Sequence, residues 1–263
     1  MSILKSTRLQ PMQPFLRKTK PASGRSAFTL VEMLVVIAVI SILMTAGIRG
    51  LNGLGGKGVT SGVATAESVF NEARTTAMGR NLRACVLVAK ELNSAYSSEN
   101  LRRLVVAYEE TDTTTSSPTY GQAKNPTSTT PNWVLSSRAV LLPDQTFYSV
   151  TYSQKDQNAG TGIPLDEITD ARILNVKDAY KGKYGIYIFN SQGICSTPGA
   201  SFVIGSGARD PSKSGVTSPP RVTASAKHDF GGFVIWRDGN TSVFHSPTQI
   251  SASIQSLTPG KTF

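Results

Sequence analysis

Residues 59–81 read VTSGVATAESVFNEARTTAMGRN, and the spacing of their apolar positions sets the fold class. Val59, Val63, Ala66, Phe70, Ala73 and Ala77 recur at intervals of 4, 3, 4, 3 and 4, the repeat that lines side chains along one stripe of an α-helix. Glu67, Glu72, Arg74 and Arg80 fall off the stripe. The helix therefore has one face to bury, predicted to pack on a sheet, and it is expected to end near Gly79 to Asn81.

Downstream the period changes from helical to extended. ACVLVAKE (84–91), LRRLVVAYEE (101–110), RAVLLP (138–143), TFYSVTYS (146–153), YGIYIFN (184–190) and SFVIG (201–205) are short runs rich in β-branched and aromatic residues, bounded by turn formers. GGFVIWRDGNTSVFH (231–245) places Asp238-Gly239 between two apolar alternations, a hairpin signal. The Thr/Ser/Pro-rich segment 111–131 is expected to be a mobile loop, 206–228 an irregular one, and 164–180 a short amphipathic helix through Ile168, Ala171, Ile173 and Val176. The predicted class is α+β, with helices packed on a mainly antiparallel sheet.

Upstream of the helix, residues 47–62 carry seven glycines in 16 positions. Each glycine costs about 1 kcal/mol of helix stability relative to Ala, so 49–62 is expected to be a melted or hinged segment. Before it, residues 28–48 form a 21-residue run whose only ionisable side chain is Glu32. As a helix this run spans about 30 Å, the thickness of one hydrocarbon core. Six Lys/Arg and no acid occupy residues 1–27, while only Arg49 and Lys57 follow closely, so the N-terminus is expected on the cytoplasmic side and the region after about residue 50 outside. The formal net charge of +10 falls to +4 once those six basic residues are set aside, which weakens a reading of the chain as a polycation.

Glu32 needs a reason to be there. A carboxylate in a bilayer costs about 2 to 3 kcal/mol at mid-helix, less near an end, and such groups usually have a partner or a job. Thr29 and Glu32 also fit S/T-x-x-E, the capping box that closes the first turn of a helix, and that local explanation stands beside the functional one.

Ala27-Phe28-Thr29-Leu30-Val31-Glu32, behind a basic leader and ahead of an unbroken apolar helix, resembles the N-terminal signature of type IV prepilins and type II secretion pseudopilins. The resemblance implies removal of residues 1–27 by a prepilin peptidase between Ala27 and Phe28, N-methylation of Phe28, and an assembly role for Glu32 against the terminal ammonium of a neighbour. Ala27 stands where that family usually carries Gly. The further segments AESVFNEARTTAMGRNLRACVLVA, AVLLPDQTFYSV and YIFNSQGIC, ahead of the hairpin, look like the H-type minor pseudopilins and their fimbrial T-like relatives. The domain organisation implied by this resemblance is a leader over 1–27, a transmembrane and assembly helix over 28–48, a hinge over 49–62 and a head over 63–263. The head would be periplasmic or extracellular, on a bacterial inner-membrane protein. Implied partners are the prepilin peptidase, other pilins or pseudopilins, an inner-membrane assembly platform, and membrane lipid around 28–48.

Two other readings are carried with it. Arg74, Arg80, Arg83, Arg102 and Arg103 cluster along the chain, which would suit a minor pilin that binds DNA during uptake if they shared one face. A membrane-anchored envelope protein with no filament role is the other. Cys85 and Cys195 are compatible either with a disulfide or with two separate buried thiols, and no metal-ligand spacing or cofactor motif is present. His228 and His245 sit in no catalytic pattern, and GxSxG, HExxH and P-loop motifs are absent, so no enzymatic activity is expected.

Overall fold

The computed structural model describes residues 30–52, 54–156, 163–209, 220 and 229–244, with 42–52 and 54–57 described by their backbone. The chain divides into two compact units, Met1–Ile48 and Arg49–Phe263. Helix α1 (Leu30–Asn52) lies mostly in the first. The second takes in the end of α1 and then, among the described residues, α2 (Leu54–Arg80) and ten strands, which are antiparallel wherever they pair.

The stripe read from the sequence is the buried face of α2. Val59, Val63, Ala66, Phe70, Ala73 and Ala77 are all under 5% exposed. The helix ends where Asn81 adopts a left-handed conformation (φ 52°). Its N–H donates to the Met78 carbonyl and that of Leu82 to Ala77, so the last turn is closed by a Schellman pair of hydrogen bonds.

Two sheets share this helix. The first follows the order β3 (Trp133–Leu135), β2 (Arg103–Glu109), β1 (Ala84–Leu92), β7 (Gly182–Phe189), β6 (Glu167–Thr169), with β4 (Val140–Leu141) also on β2. The second runs β10 (Thr241–Phe244), β9 (Phe230–Ile235), β8 (Ala200–Ser206), β5 (Thr146–Tyr148). Strand β1 shows why its sequence is apolar without interruption: Ala84, Val86 and Val88 face α2, while Cys85, Leu87 and Ala89 face a second cluster with Trp133, Ile173 and Tyr184 on the far side.

Phe70 stands at the centre of the main core. Its ring meets Tyr187, Phe189, Phe202 and Phe233 edge-on, at centroid distances of 4.9, 6.4, 5.4 and 4.9 Å. The first two rings belong to β7 and the others to β8 and β9, so one side chain bridges both sheets. A buried polar relay makes a second bridge. The Tyr187 hydroxyl donates to the Ser201 carbonyl at 2.7 Å and lies 3.2 Å from the Tyr148 hydroxyl. Burial pushes Tyr148 up to about 12 and Tyr187 well above the usual phenol range, so both stay protonated as donors.

Three expectations are corrected. The glycine-rich stretch 49–62 is helical on both sides of residue 53, closing α1 and opening α2. At Gly62 the helix packs closely: a Cβ there would lie 2.6 Å from Ile204 Cδ1, and one on Gly231 of β9 would lie 2.9 Å from Val59 Cγ1, so these two glycines let helix and sheet approach closely. Segment 164–180 is not an amphipathic helix. It forms β6 and two short 3-10 turns, and the same apolar residues, Ile168, Ile173 and Val176, cover the second cluster from an edge strand and its continuation. TFYSVTYS keeps only Thr146–Tyr148 as strand; its remainder turns back so that Ser149 and Ser153 bond to Val203. Strand β3, which the sequence pattern did not indicate, carries the buried Trp133.

Replacing Phe70 by Ala is expected to lower head stability by about 3 to 5 kcal/mol, with Phe70→Leu costing markedly less. Urea unfolding followed through the fluorescence of buried Trp133 measures it; a loss under about 1 kcal/mol for the Ala variant contradicts a core centred on this ring.

Candidate processing and assembly segment

The residues singled out for function divide between the N-terminal segment and the head. Ala27, Phe28 and the leader lie outside the described residues, as do His228 and His245. Glu32 is described: it sits in the first turn of α1, where a carboxylate complements the positive end of the helix dipole.

The surroundings of Glu32 are unusual for a water-facing helix. Every residue from Leu30 to Ser41 is exposed, and the large apolar side chains among them range from 45% at Ile40 to 81% at Leu30. A helix apolar on all sides has no water-facing side, and its natural environment is a protein interior or lipid. Ser41 fits the same environment because its hydroxyl donates to the Ile37 carbonyl at 2.7 Å, satisfying its donor within the helix. Among the described side chains no helix is long and apolar enough to cross a membrane. In α1 those are residues 30–41, about 18 Å of helix against a hydrocarbon core of about 30 Å.

In the head, the five arginines proposed for DNA are each engaged locally. Arg83 makes a bidentate pair with the buried Glu109 (2.7 and 2.5 Å), and Arg103 pairs with Glu99 while lying over the rings of Tyr96 and Tyr180. Arg102 binds Asp144 at 2.6 Å, Arg74 binds the Asn240 side chain at 2.8 Å, and Arg80 stacks on Tyr108 at 4.1 Å. Each has a local structural partner. Cys85 and Cys195 are both free and buried, Cys85 in the second cluster and Cys195 in the main core, so the disulfide alternative is not realised. Burial raises both thiols, which leaves them poor nucleophiles.

The loop 111–131 departs most from expectation, because it is pinned rather than loose. Thr111 and Ala123 form an antiparallel bridge, Asp112 exchanges backbone bonds with Gly121 and Gln122, and Glu110 accepts from Lys124 and Asn132. Arg83 reaches across from its pair with Glu109 to the Ser128 carbonyl at 2.7 Å. The Asp112 carboxylate accepts from the Thr114 N–H at 2.9 Å and the Thr119 hydroxyl at 2.8 Å. Hydrogen bonds from Ser117, the Thr114 amide and Thr119 hold this carboxyl well below the usual carboxylate range. The only local signal for such order was Asp112 followed by Thr and Ser, the pattern of an Asx turn.

Comparison with known families adds one observation. The prokaryotic N-terminal methylation motif matches residues 22–48. The chain carries a type IV pilin-like N-terminal signal. The match spans residues 22–27, Phe28, Glu32 and the whole apolar run to Ile48, and it implies processing by a prepilin peptidase and assembly with other pilins. No curated protein and no solved structure matches the chain.

Because the folded pKa of Asp112 is depressed, its contribution to loop order is present above the unfolded value of about 3.9 and is lost as pH falls further. The Thr114 amide resonance is therefore expected to titrate with a midpoint below about 3.9 and to be flat with pH in Asp112→Asn. A midpoint at or above that of a free Asp contradicts the carboxylate-held turn.

Proposed function

We propose that this protein is a pilin-like structural subunit, a pseudopilin or minor pilin, clipped between Ala27 and Phe28, methylated on Phe28, and assembled through its apolar helix into an envelope filament. The methylation motif over 22–48 carries the reading. The bare apolar surface of α1 and the carboxylate in its first turn support it.

The chemistry is electrostatic. Cleavage creates an ammonium at Phe28, four residues before Glu32, and in a low-dielectric setting neither charge is tolerable alone. An ammonium on one subunit and Glu32 on the next neutralise each other, which fixes the axial register of neighbouring helices. The residues after 28 supply the apolar contact, and lipid is their environment before extraction. The finer assignment, to H-type minor pseudopilins of a type II secretion or pilus-like machine at the bacterial inner membrane, rests on the order of segments 66–89, 139–150, 187–195 and the final hairpin. For a DNA-binding minor pilin the geometry is less favourable, since the five candidate arginines already have separate partners.

Intact-mass analysis of the protein extracted from membranes is expected to show loss of residues 1–27 and one added methyl group on Phe28. In the same cells Glu32→Ala should be inserted and clipped but incorporated into sheared filaments about tenfold less than the parent. A chain beginning at Met1 ends the reading; normal incorporation of Glu32→Ala removes the charge-pairing step while leaving the processing intact.

A further inference from the structure

The second sheet ends on an edge that the described part of the head does not close. Among the described residues β10 pairs with β9 alone, along the register from Thr241–Ile235 to Phe244–Gly232. Where the hairpin turns, the Trp236 N–H donates to the Asn240 carbonyl at 2.9 Å. Alternation along an antiparallel pair then directs the N–H and C=O groups of Ser242 and Phe244 toward β9 and those of Thr241 and Val243 away from it. Val243 lies opposite the buried Phe233, on the core side of the sheet, yet is 40% exposed.

Other edges are guarded. Trp133 of β3 is bridged by Ile173, and its carbonyl accepts from the Leu174 N–H. At β6, Glu167 and the adjoining Asp166 are paired with Lys90 and Lys155. The outward N–H of Tyr148 in β5 donates to the Leu101 carbonyl at 2.7 Å. From Asn240 to Phe244 there is neither a charged side chain nor a proline, the devices that keep an open edge from pairing with another chain. An edge of this kind is a template for one more strand.

The chain itself supplies a candidate. Residues 245–263 lie outside the described residues, and within their sequence Ile250, Ala252 and Ile254 alternate with Ser251, Ser253 and Gln255, the period-2 pattern of a strand with one face to bury. No Lys, Arg, Asp or Glu follows Phe244 before Lys261, which matches an edge without charge. His245-Ser246-Pro247-Thr248 has the length of a four-residue hairpin loop, and a return across it sets Ile250 opposite Val243, Ser251 opposite Ser242 and Ala252 opposite Thr241. That register puts the apolar members on the core side, where Val243 is partly bare, and the serines on the other. We infer that residues 249–255 bind the open edge of β10 in the same chain as an antiparallel strand, covering Val243 and closing the edge against intermolecular pairing. So short a tether keeps the segment at high local concentration, which favours its own edge over that of a second copy.

The full chain, purified in detergent, is suited to hydrogen exchange and to cross-linking. The Thr241 and Val243 amides are expected to exchange at least about tenfold more slowly than an unprotected amide and to reach the unprotected rate in Ile250→Lys/Ile254→Lys, while the Ser242 and Phe244 amides stay slow in both. Mild oxidation of Ser242→Cys/Ser251→Cys, a non-hydrogen-bonded pair whose side chains stand close, should give a disulfide within one chain, and Ser242→Cys/Gln255→Cys should give none. Unprotected exchange at Thr241 and Val243 in the parent overturns the inference, as does protection that survives Ile250→Lys/Ile254→Lys. A disulfide that joins two chains overturns it too, and so does the absence of any disulfide in Ser242→Cys/Ser251→Cys.

Discussion

The head depends on the edge-on packing of Phe70 against rings from three strands in two different sheets. Neither sheet can bury its inner face on the other alone, and α2 supplies a single stripe that serves both. The consequences run outward from that ring. Phe202 and Phe233, cross-strand partners, stack at 5.2 Å beneath it, and Tyr187 carries the buried hydroxyl relay that ties β7 to β8. The glycines at 62 and 231 belong to the same packing, since they let α2 approach the second sheet where Ile204 of β8 and Val59 of α2 would meet an added Cβ.

A second layer of order comes from charges placed at corners. Glu109 is nearly inaccessible, and removing its partner would leave a buried carboxylate uncompensated, a far larger penalty than loss of a surface ion pair. Arg83 raises the stakes by also binding the loop that β2 feeds into, so the geometry of 111–131 is coupled to the core through one guanidinium. Arg103 acts similarly at the opposite end of β2, between Glu99 and the Ala179 carbonyl. A loop that composition alone describes as polar and unstructured thereby becomes a defined surface.

How much of this the sequence discloses depends on the range of the interaction involved. The α2 stripe is legible because its period is written in adjacent turns, and β1, β2, β7, β8 and the final hairpin because their β-branched runs are bounded by turn residues. Strand β3 and the edge strand β6 are three residues each, too short for an alternation, and exist because β2 and β7 offer them backbone partners. The helical glycines escaped for the same reason: propensity is local, whereas the space that accommodates Gly62 is made by Ile204, 142 positions away. In the candidate site, Glu32 was legible as an anomaly of one charge in an apolar run. The order of the 111–131 loop was not, because it comes from Arg83 and Glu110 behind it.

The two helices divide the work in a way that constrains how subunits can meet. The apolar stripe of α2 is used by its own sheets, and its exposed side carries Ser61, Ala64, Ser68, Asn71 and Thr75 together with Met78 and Arg80 near its C-terminal end. Thr65 and Thr75 turn their hydroxyls back onto the Ser61 and Asn71 carbonyls. The large apolar surface still uncovered lies on α1, and it is nearly without direction, since an all-round apolar helix can slide or rotate against another at small cost. In the assembly proposed above, Glu32 breaks that degeneracy, because a charge in a low-dielectric setting is relieved only where an opposite charge comes within a few ångströms. On the pilin-like reading proposed above, apolar area supplies affinity and the carboxylate supplies register.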